Sequence, residues 1–249
     1  MKRAYEGHEV VYKKIKKKGL RSWNAFQRIK QREINNDTKR FLADVVAQPW
    51  APKSGRIVEL GCGTGPILRW ICRKRNLSGL GIDVSKTAIA MAKKQTKDAN
   101  VKFKRADLCR IDAGKTGKFD LAIDGKCLHC ITSDSDRKKF LKNSFKLLKK
   151  GGVFIVMTMC GPADRKIFSN GWKGQKLINH IIYYPLDKAR QYDDFITYKG
   201  RDYIPTRKIL HWKSILAEIR NAGFKIQMFQ YNTSTGKEPF GDLSVAALA

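Results

Sequence analysis

The chain has 249 residues and a formal net charge of +29, from 51 lysines and arginines against 22 aspartates and glutamates. Its apolar fraction of 42% and aromatic fraction of 10% exclude an intrinsically disordered chain, which lacks the apolar surface needed to offset its conformational entropy. The first residues contain no apolar run typical of a signal peptide, and no apolar stretch approaches the roughly 18 residues of a membrane span. We therefore expect no membrane insertion and a cytoplasmic location.

The positive charge is distributed along the chain and is not concentrated in one segment. Lysines recur within residues 13–18, 86–97 and 138–150. A basic chain is typical of proteins that bind phosphate groups, as in nucleic acid. A general bias towards lysine instead gives solvated faces without an anionic partner. We favour the compositional bias and keep nucleic-acid binding as the alternative.

The first 54 residues form a helical extension in front of the main domain. Apolar residues between Trp23 and Val46 recur at spacings of three and four, which predicts helices. The stretch Pro49–Gly55 then ends the helical pattern. We therefore divide the chain into an N-terminal helical extension, residues 1–54, and a main domain, residues 55–249.

From Arg56 onward, short β-rich runs alternate with longer helical runs. This alternation is typical of βαβ units, so it predicts an α/β fold with a doubly wound, mainly parallel sheet. The predicted strands are Arg56–Leu60, Leu80–Val84, Val101–Arg105, Phe119–Asp124, Val153–Met159, Phe224–Tyr231 and Leu243–Leu248. The predicted helices are Pro66–Arg75, Lys86–Lys97, Asp136–Lys149 and Thr206–Ala222. The loop between the last two strands is too short for a helix, so these strands should form an antiparallel hairpin at one sheet edge.

The segment 161–205 interrupts this alternation. It is much longer than a usual connection between a strand and a helix, so we interpret it as a cap insertion on the functional rim of the sheet. Its aromatic residues are Phe168, Trp172, Tyr183, Tyr184, Tyr192, Phe195, Tyr198 and Tyr203. They either enclose a flat or cationic ligand, with Asp193 and Asp194 adding negative charge, or form a small satellite core. The members singled out as ligand contacts are Tyr183, Tyr184, His180 and Tyr192.

A glycine-rich turn follows the first predicted strand. Residues 58–66 read VELGCGTGP, a strand that runs through three glycines into a helix beginning at Pro66. Glycines let the backbone approach a ligand closely, and proline suits a first helical turn because its missing N–H has no partner there. A dinucleotide fingerprint needs glycine or alanine where Pro66 stands, so this turn is not typical of NAD or FAD binding.

Acidic residues lie at the ends of the next three predicted strands. Asp83 ends the second strand beside Val84, Asp107 follows the third strand beside Leu108, and Asp124 ends the fourth. An acidic residue about 20 positions after a glycine turn can accept hydrogen bonds from ribose hydroxyls. Because the carboxyl ends of parallel strands meet at one edge, we expect these residues to line one crevice with the glycine turn.

These motifs resemble those of the class I S-adenosylmethionine-dependent methyltransferases, over roughly Gly55 to Leu148. The nucleotide motif of that family, E-x-G-x-G-x-G, matches Glu59, Gly61, Gly63 and Gly65. Its fourth motif matches the residues 120–122 and 128–129, DLA and LH. The resemblance implies S-adenosylmethionine as cofactor, direct methyl transfer, and a seven-stranded sheet whose last strand is antiparallel.

The resemblance also implies roles for single residues. Asp83 would hold the ribose and Asp107 the adenine amino group. The backbone around Gly61 would hold the methionine end of the cofactor, and Asp124 is also well placed to bind that end. Tyr5, Tyr12 and Trp23 would fold over the cofactor as a lid, although packing on the sheet explains Trp23 equally well. The cofactor-binding candidates are Glu59, Gly61, Cys62, Gly63, Gly65, Asp83, Val84, Asp107, Leu108, Asp124 and Trp23.

Few catalytic groups are needed, because a sulfonium is already a good leaving group and the rate comes mainly from alignment and exclusion of water. The candidates are His129, Lys126 and Tyr183. His129 either acts as a general base or packs beside the cofactor. Lys126 either holds an acceptor carboxylate or phosphate or pairs with Asp124.

The cysteines suggest a further hypothesis. Cys127, Cys130 and Cys160 lie near His129 in the predicted fold, and thiolates bind zinc or arsenic(III), so a thiol or metalloid methyltransferase is conceivable. A structural zinc site usually has two spaced ligand pairs, and the sequence contains one. We therefore predict no metal, and interpret all six cysteines as reduced thiols.

The sequence thus predicts an S-adenosylmethionine-dependent methyltransferase that acts on an O, N or S atom of a small molecule, as a monomer or homodimer. The main rival is an RNA or DNA methyltransferase that uses the basic surface. Against it, residues 124–127 read DGKC where adenine-N6 enzymes carry Asn/Asp-Pro-Pro-aromatic, and the sequence suggests no appended nucleic-acid-binding module. A cofactor-binding protein without catalysis is the third interpretation.

Overall fold

The computed structural model describes residues 1–26, 33–75, 77–161, 174–233 and 240–249. The helices in these ranges are α1 (His8–Lys17), α2 (Trp23–Phe26), α3 (Asn36–Val46), α4 (Pro66–Arg75), α5 (Lys86–Gln95), α6 (Ala113–Thr116), α7 (Asp134–Leu147) and α8 (Trp212–Asn221). The strands are β1 (Arg56–Leu60), β2 (Ser78–Asp83), β3 (Val101–Arg105), β4 (Phe119–Gly125), β5 (Leu148–Cys160), β6 (Lys176–Ile178), β7 (Ile181–Pro185), β8 (Ile196–Tyr198), β9 (Arg201–Lys208), β10 (Lys225–Asn232) and β11 (Gly241–Leu248). Short 3₁₀ turns lie at Ala4–Gly7, Leu128–Cys130 and Ala189–Gln191.

Seven strands form the central sheet, in the order β10-β11-β5-β4-β1-β2-β3. Strand β1 is parallel to both β2 and β4, and the parallel pairing continues to β3 on one side and β5 on the other. Strand β11 is antiparallel to β5 and to β10. The predicted doubly wound sheet, with its antiparallel last strand and terminal hairpin, is confirmed.

The composition of β1 explains why it lies at the centre of the sheet. Four of its five residues are buried, because helices cover both faces of a parallel sheet. On one face, Val58 packs in a cluster with Phe140 of α7. On the other, Ile57 packs in a cluster with Leu68 of α4. The core therefore has two layers, one on each side of the sheet.

The cap insertion contains a second sheet, which the structure describes from residue 174 onward. Its four antiparallel strands have the order β6-β7-β9-β8. The chain N-terminus is hydrogen-bonded to this cap, because Lys2 N donates to Gln191 O and Asp193 N donates to Lys2 O, both at 2.8 Å. Two of the predicted cap aromatics, Phe168 and Trp172, lie outside the described residues.

One predicted helix begins too early. The sequence places a helix over Thr206–Ala222, whereas α8 begins at Trp212 and residues up to Lys208 belong to β9. Strand β9 pairs with β7 as far as Lys208, opposite Ile181. Such pairing between distant segments overrides local helical spacing, and a periodicity analysis cannot detect it. No helix within the described ranges is long and apolar enough to cross a membrane.

Candidate functional site

The carboxyl ends of β1, β2, β3 and β4 meet at one edge of the central sheet, because these strands are parallel neighbours. The chain proceeds outward from β1 through β2 to β3, and on the other side from β4 to β5. The order of strands therefore reverses between β1 and β4, and ligands of open α/β sheets bind in the crevice at such a reversal. The glycine turn after β1 and the loop after β4 flank this crevice.

The glycine turn depends on conformations that other residues rarely adopt. Gly61, Gly63 and Gly65 have φ angles of 69°, 54° and 74°, in the left-handed region that favours glycine. A Cβ atom on Gly61 would lie 2.6 Å from the Cys127 side chain, and one on Gly63 would lie 2.3 Å from Tyr12 Oη. The turn is thus packed against the loop after β4 on one side and against α1 on the other.

We expect Gly63→Ala to destabilise the protein more than an alanine at a comparable left-handed glycine. Gly19 provides the matched control, because its φ is +66° and a Cβ there would meet no atom within 4 Å. Gly19→Ala then measures the backbone strain alone, about 1–2 kcal/mol, and Gly63→Ala adds the collision with Tyr12. Denaturant unfolding of both variants, and of Gly63→Ala combined with Tyr12→Phe, checks this. Equal losses for the two alanine variants, or no recovery on removing the hydroxyl, would contradict the packing described above.

Asp83 connects the glycine turn to the loop after β2. One carboxylate oxygen accepts a hydrogen bond from Gly63 N and the other from Ser85 N, both at 2.8 Å. Burial raises the pKa of Asp83, and these two backbone donors oppose the rise. Because a carboxylate offers about four acceptor positions, each oxygen can still accept a further hydrogen bond. Val84 follows directly, and its carbonyl accepts from Arg105 Nε at 3.1 Å.

The N-terminal segment covers both Asp83 and Asp107. Tyr5 Oη donates to the Asp107 carboxylate, at 3.0 and 3.1 Å from its two oxygens. Glu9 of α1 accepts hydrogen bonds from the Ser85 and Thr87 hydroxyls, at 2.6 and 2.5 Å, at the start of α5. The predicted lid residues Tyr5 and Tyr12 therefore lie over the crevice.

Trp23 and Leu108 both pack in hydrophobic clusters. Trp23 packs against the rings of His8 and Tyr12, with ring centroids 5.4 and 5.5 Å apart. Leu108 is buried in the core beside β4 and α7. Their predicted contact with a cofactor stays a prediction. The described neighbours of Trp23 lie in α1 and α5, and not in the sheet as the packing alternative proposed.

Glu59 and Asp124 are buried carboxyls that hold local structure. Glu59 accepts a hydrogen bond from Leu68 N at 2.9 Å, in the first turn of α4, and burial raises its pKa to about 8. Asp124 accepts from Cys127 N at 2.5 Å and Leu128 N at 2.9 Å, and burial raises its pKa to about 7. Both therefore shape the walls of the crevice, and direct contact with a ligand stays a prediction for each.

His129 lies in the turn after β4 and is buried. Met159 N donates to its Nδ1 atom at 3.3 Å, and Thr158 Oγ1 lies 3.2 Å from the same atom. A backbone N–H can only donate, so Nδ1 is unprotonated and the neutral ring carries its proton on Nε2. Burial lowers the pKa of His129, which favours this neutral form.

Cys130 interacts electrostatically with His129 and with Arg207 of the cap strand β9. Burial opposes ionisation of the Cys130 thiol, but His129 and Arg207 outweigh burial and lower its pKa. Cys127 packs against Gly61, and Cys160 is buried at the end of β5. All six cysteines are free thiols. Within the described ranges, no three His, Cys, Asp or Glu side chains are grouped so as to hold a metal ion.

The other two catalytic candidates are Lys126, which is ion-paired with β11, and Tyr183, which is buried in the cap. Lys126 forms an ion pair with Asp242 of β11 and not with Asp124, the partner that the sequence suggested. Tyr183 is buried in β7, opposite Pro205 of β9. Of the remaining cap candidates, Tyr192 is buried, whereas Tyr184 and His180 are exposed.

Two residues at the crevice were missed by the sequence analysis. His8 donates from Nδ1 to the Tyr5 carbonyl at 2.8 Å, because that oxygen can only accept. Arg207 of β9 interacts electrostatically with His8, His129 and Cys130. No local motif marks either residue, and the sequence placed Arg207 in a helix. The four-strand cap is what brings Arg207 to the crevice.

Comparison with known proteins identifies the type of domain. Residues 57–152 match a family profile described as a methyltransferase domain. The chain is 26% identical over 191 residues to a carboxy-S-adenosyl-L-methionine synthase of Nautilia profundicola, which covers 75% of this chain and 73% of the relative. It is 32% identical over 109 residues to a ubiquinone biosynthesis O-methyltransferase of Pelagibacter ubique, covering 43% of each chain. A solved S-adenosylmethionine-dependent methyltransferase from Clostridium acetobutylicum superimposes with a TM-score of 0.61 at 16% identity, covering 91% of this chain and 98% of the other.

Proposed function

We propose that the chain is a class I S-adenosylmethionine-dependent methyltransferase, which the methyltransferase-domain match over residues 57–152 supports, and that it transfers a methyl group to an O, N or S atom of a small molecule. The observation that carries the proposal is the enclosure of the crevice between β1 and β4. The N-terminal segment covers it through Tyr5 and Glu9, and the cap joins that segment through the pairing of Lys2 with Gln191 and Asp193. A covered crevice favours a small acceptor over a polymer.

The residues of the crevice fit the cofactor. The left-handed glycines carry no side chains at three positions of the turn, so a ligand can pack closely against its backbone. Asp83 retains acceptor capacity for the two ribose hydroxyls, and Asp107 for the adenine amino group. S-adenosylmethionine, when bound, supplies a methyl group on a sulfonium, which needs no further activation. The task of the chain is to orient the acceptor and exclude water.

The chain's own residues provide the enclosure that this chemistry requires. Arg3 forms ion pairs with Asp136 of α7 at 3.4 Å and with Asp193 of the cap at 2.9 Å. Because Asp136 is buried, this cation joins the core, the N-terminus and the cap at one point. His129 contributes a neutral imidazole to the turn that faces the cap. Because Met159 N donates to Nδ1 and Nε2 carries the proton, we propose that this ring packs beside the cofactor and does not act as the base.

The experiment that tests the proposed function offers the enzyme both classes of acceptor at once. The purified chain is incubated with methyl-labelled S-adenosylmethionine and a cell extract separated into small-molecule and macromolecular pools. We expect S-adenosylhomocysteine to form and the label to appear in the small-molecule pool. Label in the macromolecular pool that nuclease treatment removes would support the nucleic-acid rival, whose RNA binding would also fall steeply with salt. Cofactor binding without labelling of either pool would support a binding protein.

A further inference from the structure

Arg207 is a cation that the fold brings to the crevice without a carboxylate partner among the described residues. Strand β9 packs against the Leu128–Cys130 turn and against the Ala4–Gly7 turn, and Arg207 lies opposite Ile182 in the pairing with β7. Its side chain is half-buried, so water does not fully solvate the guanidinium. Arg207 therefore faces the space between the N-terminal lid and the turn that carries His129.

Three other basic residues of the cap and N-terminus form ion pairs. Lys208, the next residue in β9, pairs with Asp134, and Arg190 pairs with Asp202 at 2.7 Å. Arg3 pairs with two aspartates, as described above. In the part of the chain that the structure describes, no carboxylate forms an ion pair with Arg207. The described residues thus leave this cation beside the crevice without a carboxylate partner.

The described groups that Arg207 acts on electrostatically are His8, His129 and the Cys130 thiol, and none of them is a carboxylate. His8 and His129 are neutral, because burial lowers the pKa of each, with Arg207 acting in the same direction. A partly buried charge is costly unless it is paired. A guanidinium presents a planar pair of N–H donors that matches a carboxylate or a phosphate. A ligand with such a group would provide the partner that the described residues do not.

We propose that the methyl acceptor carries a carboxylate or phosphate group and that Arg207 binds this group, which orients the acceptor in the crevice. The proposal rests on the proposed methyltransferase function and names the substrate class of the same site. The cofactor's own amino-acid carboxylate is the other source of the same chemistry. The experiment therefore distinguishes an anion that binds beside the cofactor from an anion that is part of it.

The test compares Arg207→Gln with Arg201→Gln, an exposed arginine of the same strand. Calorimetry first measures the binding of S-adenosylhomocysteine, and of 5′-methylthioadenosine, which lacks the amino-acid carboxylate. Benzoate and inorganic phosphate are then titrated into the complex with S-adenosylhomocysteine. We expect at least one of the two anions to bind the wild-type complex, and Arg207→Gln to weaken it by about tenfold or more. We expect Arg201→Gln to bind the anion as the wild-type protein does. The affinity for benzamide, an uncharged analogue, should not depend on Arg207.

Each alternative result has a separate meaning. If Arg207→Gln weakens S-adenosylhomocysteine by about tenfold but leaves 5′-methylthioadenosine unchanged, the arginine binds the cofactor and the proposal is overturned. If the wild-type complex binds neither anion, or if both variants bind them equally, the proposal is also overturned. If the wild-type chain does not bind S-adenosylhomocysteine, the proposed function itself fails. Thermal unfolding of both variants confirms that a loss of binding does not come from a loss of folding.

Discussion

Asp83→Ala is expected to weaken the binding of S-adenosylhomocysteine by about tenfold or more, equivalent to about 1.4 kcal/mol. The substitution removes the carboxylate that would accept the ribose hydroxyls, and hydrogen bonds to a charged group contribute about 1.5–3 kcal/mol each. It also releases the N–H groups of Gly63 and Ser85, so the glycine turn loses its connection to the loop after β2. Isothermal titration calorimetry of the variant and the wild-type chain measures the change.

Asp112→Ala is the matched control for this measurement. Asp112 is also an aspartate whose carboxylate accepts backbone hydrogen bonds, from Gly114 and Lys115, but it is exposed at the start of α6 and lies outside the crevice. We expect it to leave the affinity within about twofold of wild type. Asp83→Asn, which keeps one acceptor oxygen, should give an intermediate affinity. A folded Asp83→Ala protein with wild-type affinity would remove Asp83 from the cofactor site.

The sequence predicts those parts of the site that depend on local conformation. The three glycines, Pro66 and the burial of β1 are all consequences of short-range backbone geometry, so their positions follow from a single stretch of residues. Asp83 follows from its spacing to that stretch along a βαβ unit. The doubly wound, mainly parallel sheet and its antiparallel hairpin follow because strands alternate with helices until the last loop becomes too short for one.

Residues that arrive from distant segments were not predicted. Arg207 reaches the crevice because β9 pairs with β7 over a cap whose four strands no periodicity revealed. His8 reaches it because α1 packs on α5 in a cluster that includes Tyr12 and Met91. A motif also cannot show that a carboxylate has a structural role. Asp124 matches the expected position, and each of its oxygens accepts a hydrogen bond from the turn that follows it, so it also holds the conformation of that turn.

Arg137 connects the turn that carries His129 to the helical layer of the fold. Its side chain is about 2% exposed and forms a two-point contact with Glu218 of α8, at 3.0 and 2.5 Å. The same guanidinium donates to the carbonyls of Leu128 and Ile131, at 2.7 and 3.3 Å. These carbonyls flank His129, so one buried cation fixes both the position of α8 and the conformation of the turn. A buried pair is most costly when one partner is removed alone.

Arg137→Met should therefore lower the free energy of unfolding by about 3 kcal/mol, because it leaves Glu218 unpaired and two buried carbonyls without donors. Lys139→Met removes the same charge from the same helix, but this side chain is 55% exposed in its ion pair with Asp136, so we expect a loss below about 1 kcal/mol. Arg137→Lys keeps the charge without the two-point contact, so its loss of unfolding free energy should lie between those of Arg137→Met and Lys139→Met. Urea unfolding measures all three, and NMR of His129 reports whether its surroundings change. Equal stability of Arg137→Met and Lys139→Met would show that the buried contacts do not hold the turn.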